Sequence, residues 1–403
     1  MSARTHIRNA RILDVEAGDY RPGWSVLIED GTIIEVAHKI AAAGAETIDA
    51  ADRVVMPGLI DAHVHPMISS LDIGSLAEEP LTLLAQRARG ELEAILRRGF
   101  TTVRDACGGD RGLVRAIDEG LIAGPRLLVS GRALSQTGGH GDSRPARNFC
   151  AGHSDFTSRI ADGVDEVRRA AREELRAGAH QLKIMASGGV ASPSDEIWTL
   201  QYSLEEMRAA VEEAAARRTY VLAHAYTAEA IERAVMSGVR SIEHGNLIDA
   251  ATAALMARHG TFLVPTLITY DRIFESGEEL GMPPDQRRKV IDVIDAGLDS
   301  LTLARQAGVK IGFGTDLLGA LQRHQAEEFR IRAAAEDPID TIRSATLVNA
   351  ELLGLAGTIG VCKEGAAADL LIVDGDPLAG AAVLADAERI DAVIKDGAMA
   401  FAR

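Results

Sequence analysis

Eight short runs of β-branched and other apolar residues alternate with segments of helical periodicity through the middle of this chain, and this alternation strongly limits the possible folds. After the fourth run, residues 203–217 begin with the capping box Ser203-x-x-Glu206. Strands that alternate with helices in this way predict an α/β fold, a (β/α)8 TIM-like barrel. A doubly wound open sheet is the alternative, but no glycine-rich phosphate loop follows the first run. The eight runs occupy residues 58–65, 101–106, 126–131, 181–187, 219–225, 240–244, 261–267 and 310–316.

The two ends of the chain show a different pattern, of short strands and tight turns. Near the start, two strand-like segments flank the hairpin dipeptide Asp30-Gly31, and the tail of the chain returns to the same pattern. We therefore expect both termini, residues 1–57 and 357–403, to form one small β-sandwich domain. This domain would flank a barrel of residues 58–356.

Charge and composition exclude several classes of partner. The 403 residues carry 43 Lys and Arg against 59 Asp and Glu, a net charge of −16, which argues against binding to nucleic acid or anionic membranes. The longest uncharged stretch has 12 residues, 259–270, whereas a membrane-spanning helix needs about 20 apolar residues. The start of the chain has no apolar segment typical of a secretion signal. Because Cys107, Cys150 and Cys362 are few and widely spaced, we expect no disulfide framework and a cytoplasmic location.

Metal-compatible side chains lie at the carboxyl ends of several predicted strands, where barrel active sites are found. The first run carries His63 and His65, which point to the same face because side chains in a strand alternate. The fifth run includes His224, the sixth ends at His244 and the eighth ends at Asp316. Imidazole and carboxylate ligands together suit zinc and other divalent transition metals.

Lys183 lies inside the fourth run, an unusual place for a hydrated ammonium group. Burial would favour the neutral amine, which can add CO₂ to give a carbamate whose two oxygens bridge two metal ions. Taken singly, each of these residues has a structural explanation: a polar strand face, a hydrogen-bonded strand end or a buried ion pair. Their joint position favours a metal site. We expect the other histidines to be surface or structural residues, namely His6, His38, His153, His180, His259 and His324.

The segment Pro57-Gly-Leu-Ile-Asp-Ala-His-Val-His65, followed in order by the lysine, histidines and aspartate above, resembles the amidohydrolase superfamily. The resemblance covers nearly the whole chain. It is to the subgroup whose members have two metals bridged by a carboxylated lysine. It implies a distorted barrel and a β-sandwich built from both termini. Five shorter segments are similar to the Xaa-Pro dipeptidase (prolidase-like) and related carboxypeptidase branch, namely residues 99–105, 137–142, 187–190, 224–227 and 239–246.

The resemblance implies a binuclear site of two divalent ions, with zinc as the expected metal and Lys183 carboxylated. Asp316 would accept a proton from the attacking hydroxide and deliver it to the departing amine. His140, in a glycine-rich loop, would donate a hydrogen bond to the scissile carbonyl oxygen, and Tyr226 would bind the substrate carboxylate or the tetrahedral intermediate. The implied ligands are His63, His65 and Asp316 for the more buried ion, His224 and His244 for the other, and Lys183 for both.

We therefore expect a hydrolase of dipeptides or N-acyl amino acids with a free C-terminal carboxylate, a small-molecule enzyme that forms a homo-oligomer by family analogy. One alternative is a hydrolase of a non-peptide amide, carbamate or lactam, because residues 192–196 depart from the Ser-Pro-Thr-Asp-Pro of many dipeptidase-like members. A non-catalytic scaffold is disfavoured because all six ligand positions are filled. Residues 275–285, rich in charge, Gly and Pro, are expected to be either a mobile flap or a solvated loop.

Overall fold

The computed structural model describes residues 4–144, 155–193 and 195–403, so the expectations for Cys150, His153 and Ser194 lie outside the described residues. Within these ranges, no helix is both long enough and apolar enough to cross a membrane. The strands are β1 (Arg4–Asp14), β2 (Asp19–Glu29), β3 (Thr32–Ala37), β4 (Glu46–Asp49), β5 (Val54–Pro57), β6 (Leu59–Val64), β7 (Phe100–Asp105), β8 (Arg126–Val129), β9 (Ala133–Ser135), β10 (Ser158–Ile160), β11 (Leu182–Met185), β12 (Val221–Thr227), β13 (Ser241–Leu247), β14 (Phe262–Val264), β15 (Leu370–Val373), β16 (Ile390–Lys395) and β17 (Ala398–Ala402).

Helices fill most of the intervals between the strands of the middle region. Three 3-10 helices, Gly319–Glu327, Ala381–Ala385 and Ala387–Arg389, and one π-helical turn, Ser344–Val348, complete the described elements. The α-helices are α1 (Ile73–Leu76), α2 (Leu81–Arg97), α3 (Arg111–Asp118), α4 (Val164–Ala177), α5 (Leu204–Ala216), α6 (Ala228–Met236), α7 (Ala250–His259), α8 (Leu267–Ser276), α9 (Pro284–Ile294), α10 (Gly297–Ala307), α11 (Glu328–Arg332), α12 (Pro338–Arg343) and α13 (Asn349–Leu352).

The two ends of the chain combine into one eight-stranded sheet, as their shared pattern predicts. Its strand order is β17-β16-β15-β5-β1-β2-β3, and β4 pairs with the first half of β1. The two ends join where β5 pairs antiparallel with β15, with Val55 opposite Ile372. All four residues of each of these strands are buried, so apolar side chains cover both faces at the junction. The division into domains after residues 57 and 356 stays a prediction.

Parallel strands of the middle region form a six-stranded sheet, β10-β9-β11-β12-β13-β14, and a three-stranded sheet, β6-β7-β8. Seven of the eight predicted runs overlap one of these strands. The short strands β9 and β10 were not predicted, because three-residue strands leave almost no periodic signal.

The eighth run, residues 310–316, corrects the sequence prediction of a closed ring of eight strands. It forms only an isolated bridge between Leu263 and Ile311. Because β8 is also not paired with the six-stranded sheet, the described strands do not close into one continuous ladder. Its backbone still hydrogen-bonds to both neighbouring strands: the Gly312 amide donates to the Leu263 carbonyl (2.8 Å) and the Ala62 amide to the Phe313 carbonyl (2.8 Å). The run is broken because it contains two glycines and ends at Asp316 with a φ of 52°.

The helix that begins after Ser203 confirms the predicted capping box. The Glu206 amide donates to Ser203 Oγ (3.2 Å), and the Ser203 amide donates to Glu206 Oε2 (2.7 Å). The charged segment 275–285 includes the end of α8 and the start of α9, and whether it moves as a flap stays a prediction.

Candidate metal centre

Every predicted site residue lines the same cavity, whose volume is about 330 Å³. The carboxyl ends of the parallel strands supply most of them, and loops supply His140 and Asp316. Between these polar groups the wall is apolar and includes Ile68, Val190 and Leu318. The predicted residues that the structure brings together here are His63, His65, His140, Lys183, His224, Tyr226, His244 and Asp316.

Imidazole nitrogens converge on the Asp316 carboxylate. Its Oδ1 lies 3.2 Å from His63 Nε2 and 2.9 Å from His65 Nε2, and its Oδ2 lies 3.9 Å from His244 Nδ1. One ligand atom each of His63, His244 and Asp316 falls within 4.8 Å of the others. His224 stands beside this group, with its ring centre 4.6 Å from that of His244, but its Nε2 donates to the Gly188 carbonyl (3.1 Å). The donor set fits a divalent cation.

Hydrogen bonds to the protein hold one ring nitrogen of each of these histidines. His63 Nδ1 hydrogen-bonds to Glu243 Oε2 (2.7 Å) and His65 Nδ1 to the Cys107 carbonyl (3.2 Å). In His244 the nitrogen that hydrogen-bonds to Thr266 Oγ1 (2.8 Å) is Nδ1, the same atom that lies 3.9 Å from Asp316 Oδ2. For His63 and His65, these bonds leave Nε2 to face Asp316. Outer hydrogen bonds of this kind orient metal-binding histidines and raise the basicity of their rings.

Glu243 and Arg104 form a fully buried ion pair behind the site that our sequence analysis did not identify. Arg104 Nη2 donates to both Glu243 carboxylate oxygens, at 2.8 and 2.9 Å. Although burial raises the pKa of Glu243, the Arg104 guanidinium and the hydrogen bond from His63 outweigh it and hold that pKa well below its usual value. Glu243 therefore stays ionised. Two opposite charges inside apolar strand runs were the sequence signal that could have revealed this pair.

Two of the predicted ligands have a left-handed backbone. His244 has a φ of 74° and Asp316 a φ of 52°, in a region where residues other than glycine are uncommon. The Asp316 amide donates to the His63 carbonyl (2.8 Å), which holds the turn against β6. Such strain costs of order 1–3 kcal/mol per residue and persists where the surrounding structure enforces it, which is common at functional sites.

Lys183 is buried in β11, and its side chain reaches the cavity. Burial lowers the pKa of its ammonium group and so favours the neutral amine. Among the described residues, none forms a hydrogen bond or an ion pair with Lys183 Nζ. An amine that has a lowered pKa and no such partner fits the predicted carbamate.

His140 and Tyr226 border the ligand group on the side of His224. The His140 ring stacks on that of His224, with ring centres 4.2 Å apart and an angle of 14° between the planes. Gly189 permits this close packing, because a Cβ there would lie 2.7 Å from both His140 Nδ1 and His224 Nε2. The Tyr226 hydroxyl lies 2.9 Å from that of Tyr270, a cavity residue that our sequence analysis missed.

Comparisons with known proteins show which proteins this chain is similar to. The chain matches the Amidohydrolase family over residues 54–400. Ochratoxinase from Aspergillus niger is 35% identical over 363 residues, which cover 85% of this chain and 75% of that protein. A crystal structure of a prolidase complexed with N-methylphosphonate-L-proline superposes with a TM-score of 0.98 at 47% identity, over 100% of both chains. A Xaa-Pro dipeptidase with methionine bound in its active site gives a TM-score of 0.87 at 29% identity, again over 100% of both chains.

Proposed function

From the premise that this chain belongs to the amidohydrolase family and is an amide-bond hydrolase, we propose that it cleaves dipeptides or N-acyl amino acids with a free C-terminal carboxylate. The observation that carries the proposal is the single cavity lined by all six expected ligands together with His140 and Tyr226. The similarity to a prolidase over the full length of both chains supports this substrate class.

The cofactor that we propose is a pair of zinc ions, which a carboxylated Lys183 would help to hold. When bound, such ions lower the pKa of the attacking water toward about 7 and polarise the scissile carbonyl. The convergence of His63, His65 and His244 on Asp316 supports a divalent ion at this position. The proposed ligands are His63, His65, Lys183, His224, His244 and Asp316.

Asp316 is the proposed proton carrier. Its side chain is 21% exposed and faces the cavity, so it can accept a proton from the attacking water and return it to the departing amine. The ring of His140 can donate a hydrogen bond to the carbonyl oxygen as negative charge develops there. Burial raises the pKa of Tyr226, so its phenol stays protonated and can donate to the substrate carboxylate or to the tetrahedral intermediate.

A non-peptide amide, carbamate or lactam is the second candidate substrate class. It is favoured by the 35% identity to ochratoxinase and by the apolar part of the cavity wall. The sequence of residues 192–196 also departs from the dipeptidase-like pattern, and Pro193 of this segment lines the cavity.

The test combines elemental analysis of protein grown with zinc and bicarbonate with a substrate panel. The panel compares Xaa-Pro, Xaa-Leu and Xaa-Arg dipeptides with N-acyl amino acids and carbamates. Near two zinc ions per chain with dipeptide or N-acyl turnover is the expected result. Two ions without turnover of any carboxylate-bearing substrate would move the function to the second class, and a folded protein without metal would favour a scaffold. Homo-oligomer formation and a cytoplasmic location stay predictions, the first of which light scattering would test.

A further inference from the structure

We propose that Asp195 is a positioning residue that holds His140 for the reaction, and that Lys289 fixes Asp195 for this task. The inference rests on the role that the proposed function gives to His140. Asp195 has a side chain that is 1% exposed, and its Oδ2 lies 3.7 Å from His140 Nδ1, an ion-pair distance. Nδ1 has no hydrogen-bond partner among the described residues, so this carboxylate is the polar group that faces it.

Gln201 connects the same carboxylate to the backbone of the His140 loop. Its Nε2 donates to Asp195 Oδ2 (2.7 Å), and its Oε1 accepts from the His140 amide (2.8 Å). Asp195 therefore acts on His140 twice, directly at the ring and through Gln201 at the main chain. With ring and backbone both held, the Nε2 edge of the ring is left for the cavity.

Lys289 fixes Asp195 from the opposite side. It lies on α9, is 4% exposed, and its Nζ donates to the carbonyls of Ser192 (2.8 Å), Gly189 (3.3 Å) and Asp195. The same Nζ lies 3.7 Å from Asp195 Oδ1. Removing any partner of a buried ammonium group is strongly destabilising. Lys289 therefore holds α9 against the loop that borders the cavity.

The position of Asp195 matches the task of His140. In this arrangement Nδ1 faces the Asp195 carboxylate, which leaves Nε2 to serve the carbonyl oxygen of the substrate. The carboxylate thus orients the ring, as buried carboxylates do for catalytic histidines elsewhere.

A double-mutant cycle between Asp195→Asn and His140→Ala tests the proposal on whichever amide substrate the panel identifies. His140→Ala should lower kcat by roughly 10²–10³-fold, the usual loss for one oxyanion donor. Asp195→Asn keeps the shape of the side chain but removes its charge, so kcat should fall about tenfold or more with little change in KM. In the His140→Ala background, Asp195→Asn should have no further effect.

A purely structural role for Asp195 would give a different result. Asp195→Asn would then lower kcat by the same factor in the wild-type and His140→Ala backgrounds. Losses that multiply in this way in the double variant overturn the proposal. A wild-type kcat for Asp195→Asn also overturns it. If Asp195→Asn does not fold, Gln201→Leu enters the same cycle with the same expectation.

Lys289→Met and Arg288→Met are the matched pair on α9. Arg288 also contacts the loop, but its ion pair with Glu196 (3.3 Å) is exposed to solvent. Lys289→Met should lower kcat when His140 is present but not in the His140→Ala background. Arg288→Met should leave kcat unchanged. Equal effects of the two variants would contradict the role of Lys289. If His140→Ala itself keeps full kcat, the His140 role in the proposed function fails, which is distinct from failure at Asp195 alone.

Discussion

The left-handed backbone of His244 holds its imidazole beside Asp316, and this position makes it the sharpest single test of the metal centre. We expect His244→Ala to lower the metal content below that of the wild type and to reduce kcat by more than about 100-fold, since even outer-shell changes cost 10–100-fold. Elemental analysis and steady-state kinetics measure both. His259→Ala, at the exposed end of α7, is the control and should change neither. Near-wild-type metal content and turnover in His244→Ala would show that the site is assigned wrongly.

Glu243, which hydrogen-bonds to the predicted ligand His63, offers a second test of the metal centre. Glu243→Gln removes the charge that His63 Nδ1 and Arg104 both contact, so we expect metal affinity to fall by about 10–100-fold. The unpaired Arg104 should also destabilise the protein by about 3–5 kcal/mol. Competition with a chelator gives the affinity, and urea unfolding gives the stability. An unchanged affinity would mean that Glu243 serves only the fold.

Gly189 is required where the loop passes over two stacked rings. In Gly189→Ala the new Cβ would lie 2.7 Å from both His140 Nδ1 and His224 Nε2, so either both rings or the loop itself must move. We expect kcat to fall tenfold or more and stability to fall by about 1–3 kcal/mol, the usual cost of overpacking. Kinetics and thermal unfolding on the same sample provide the check, and unchanged kcat would show that neither ring position matters.

Among single residues, the sequence predicted those metal-compatible side chains that lie at the ends of predicted strands. His63 and His65 share a face because they are two residues apart, and the other ligands follow predicted strands. The position of Asp195 beside His140 and the place of Tyr270 in the cavity were missed, because a lone Asp or Tyr in a loop or helix carries no periodic signal. Only the folded structure shows these two positions.

Among the elements, α2 offers a prediction separate from the site. Gly90 lies exposed in the interior of this helix, its φ is not left-handed, and a Cβ there would contact nothing within 4 Å. Gly90→Ala should therefore raise the free energy of unfolding by about 0.5–1 kcal/mol and leave kcat unchanged. Urea unfolding tests this, and a loss of stability would contradict it. The variant is also the control for Gly189→Ala, since the substitution is the same.

Element prediction succeeded where periodicity extends over several residues and failed where glycine interrupts it. The capping box at Ser203 was identified from four residues, and seven strand runs followed from their apolar pattern. Residues 310–316 have the composition of a strand, but Gly312, Gly314 and the turn at Asp316 prevent a regular ladder. The strand-like pattern of both ends suggested that they form one β domain, whereas the pairing of β5 with β15 and its register required the structure.

For the whole molecule, the stability should depend on pH through a buried carboxyl group at the start of α11. Burial raises the pKa of Glu328 to about 8, while its Oε2 accepts from the Ile268 amide (2.7 Å) and Oε1 has no partner among the described residues. A raised pKa means that this group stabilises the fold fully below its unfolded pKa of 4.5. That stabilisation is lost as the pH rises through about 8.

Glu328→Gln should remove this dependence. The stability of wild type minus that of the variant should fall by about 1.4 kcal/mol per pH unit between about pH 5 and 8. Urea unfolding of both proteins at each pH measures the difference, in which the shared effect of pH on metal binding cancels. A difference that stays constant with pH would show that Glu328 titrates normally.

Strand β5 leaves the ribosome long before β15 is made, because nearly the whole middle of the chain lies between them. At about 5–20 residues per second, this interval lasts roughly 15–60 s. During that time strand β5 is uncovered on the edge that faces away from β1, where β15 later pairs, and open apolar edges invite pairing with other chains. The sheet that unites the two ends is thus the last part of the molecule that can be completed during synthesis. Association between crowded nascent chains would therefore affect this sheet first.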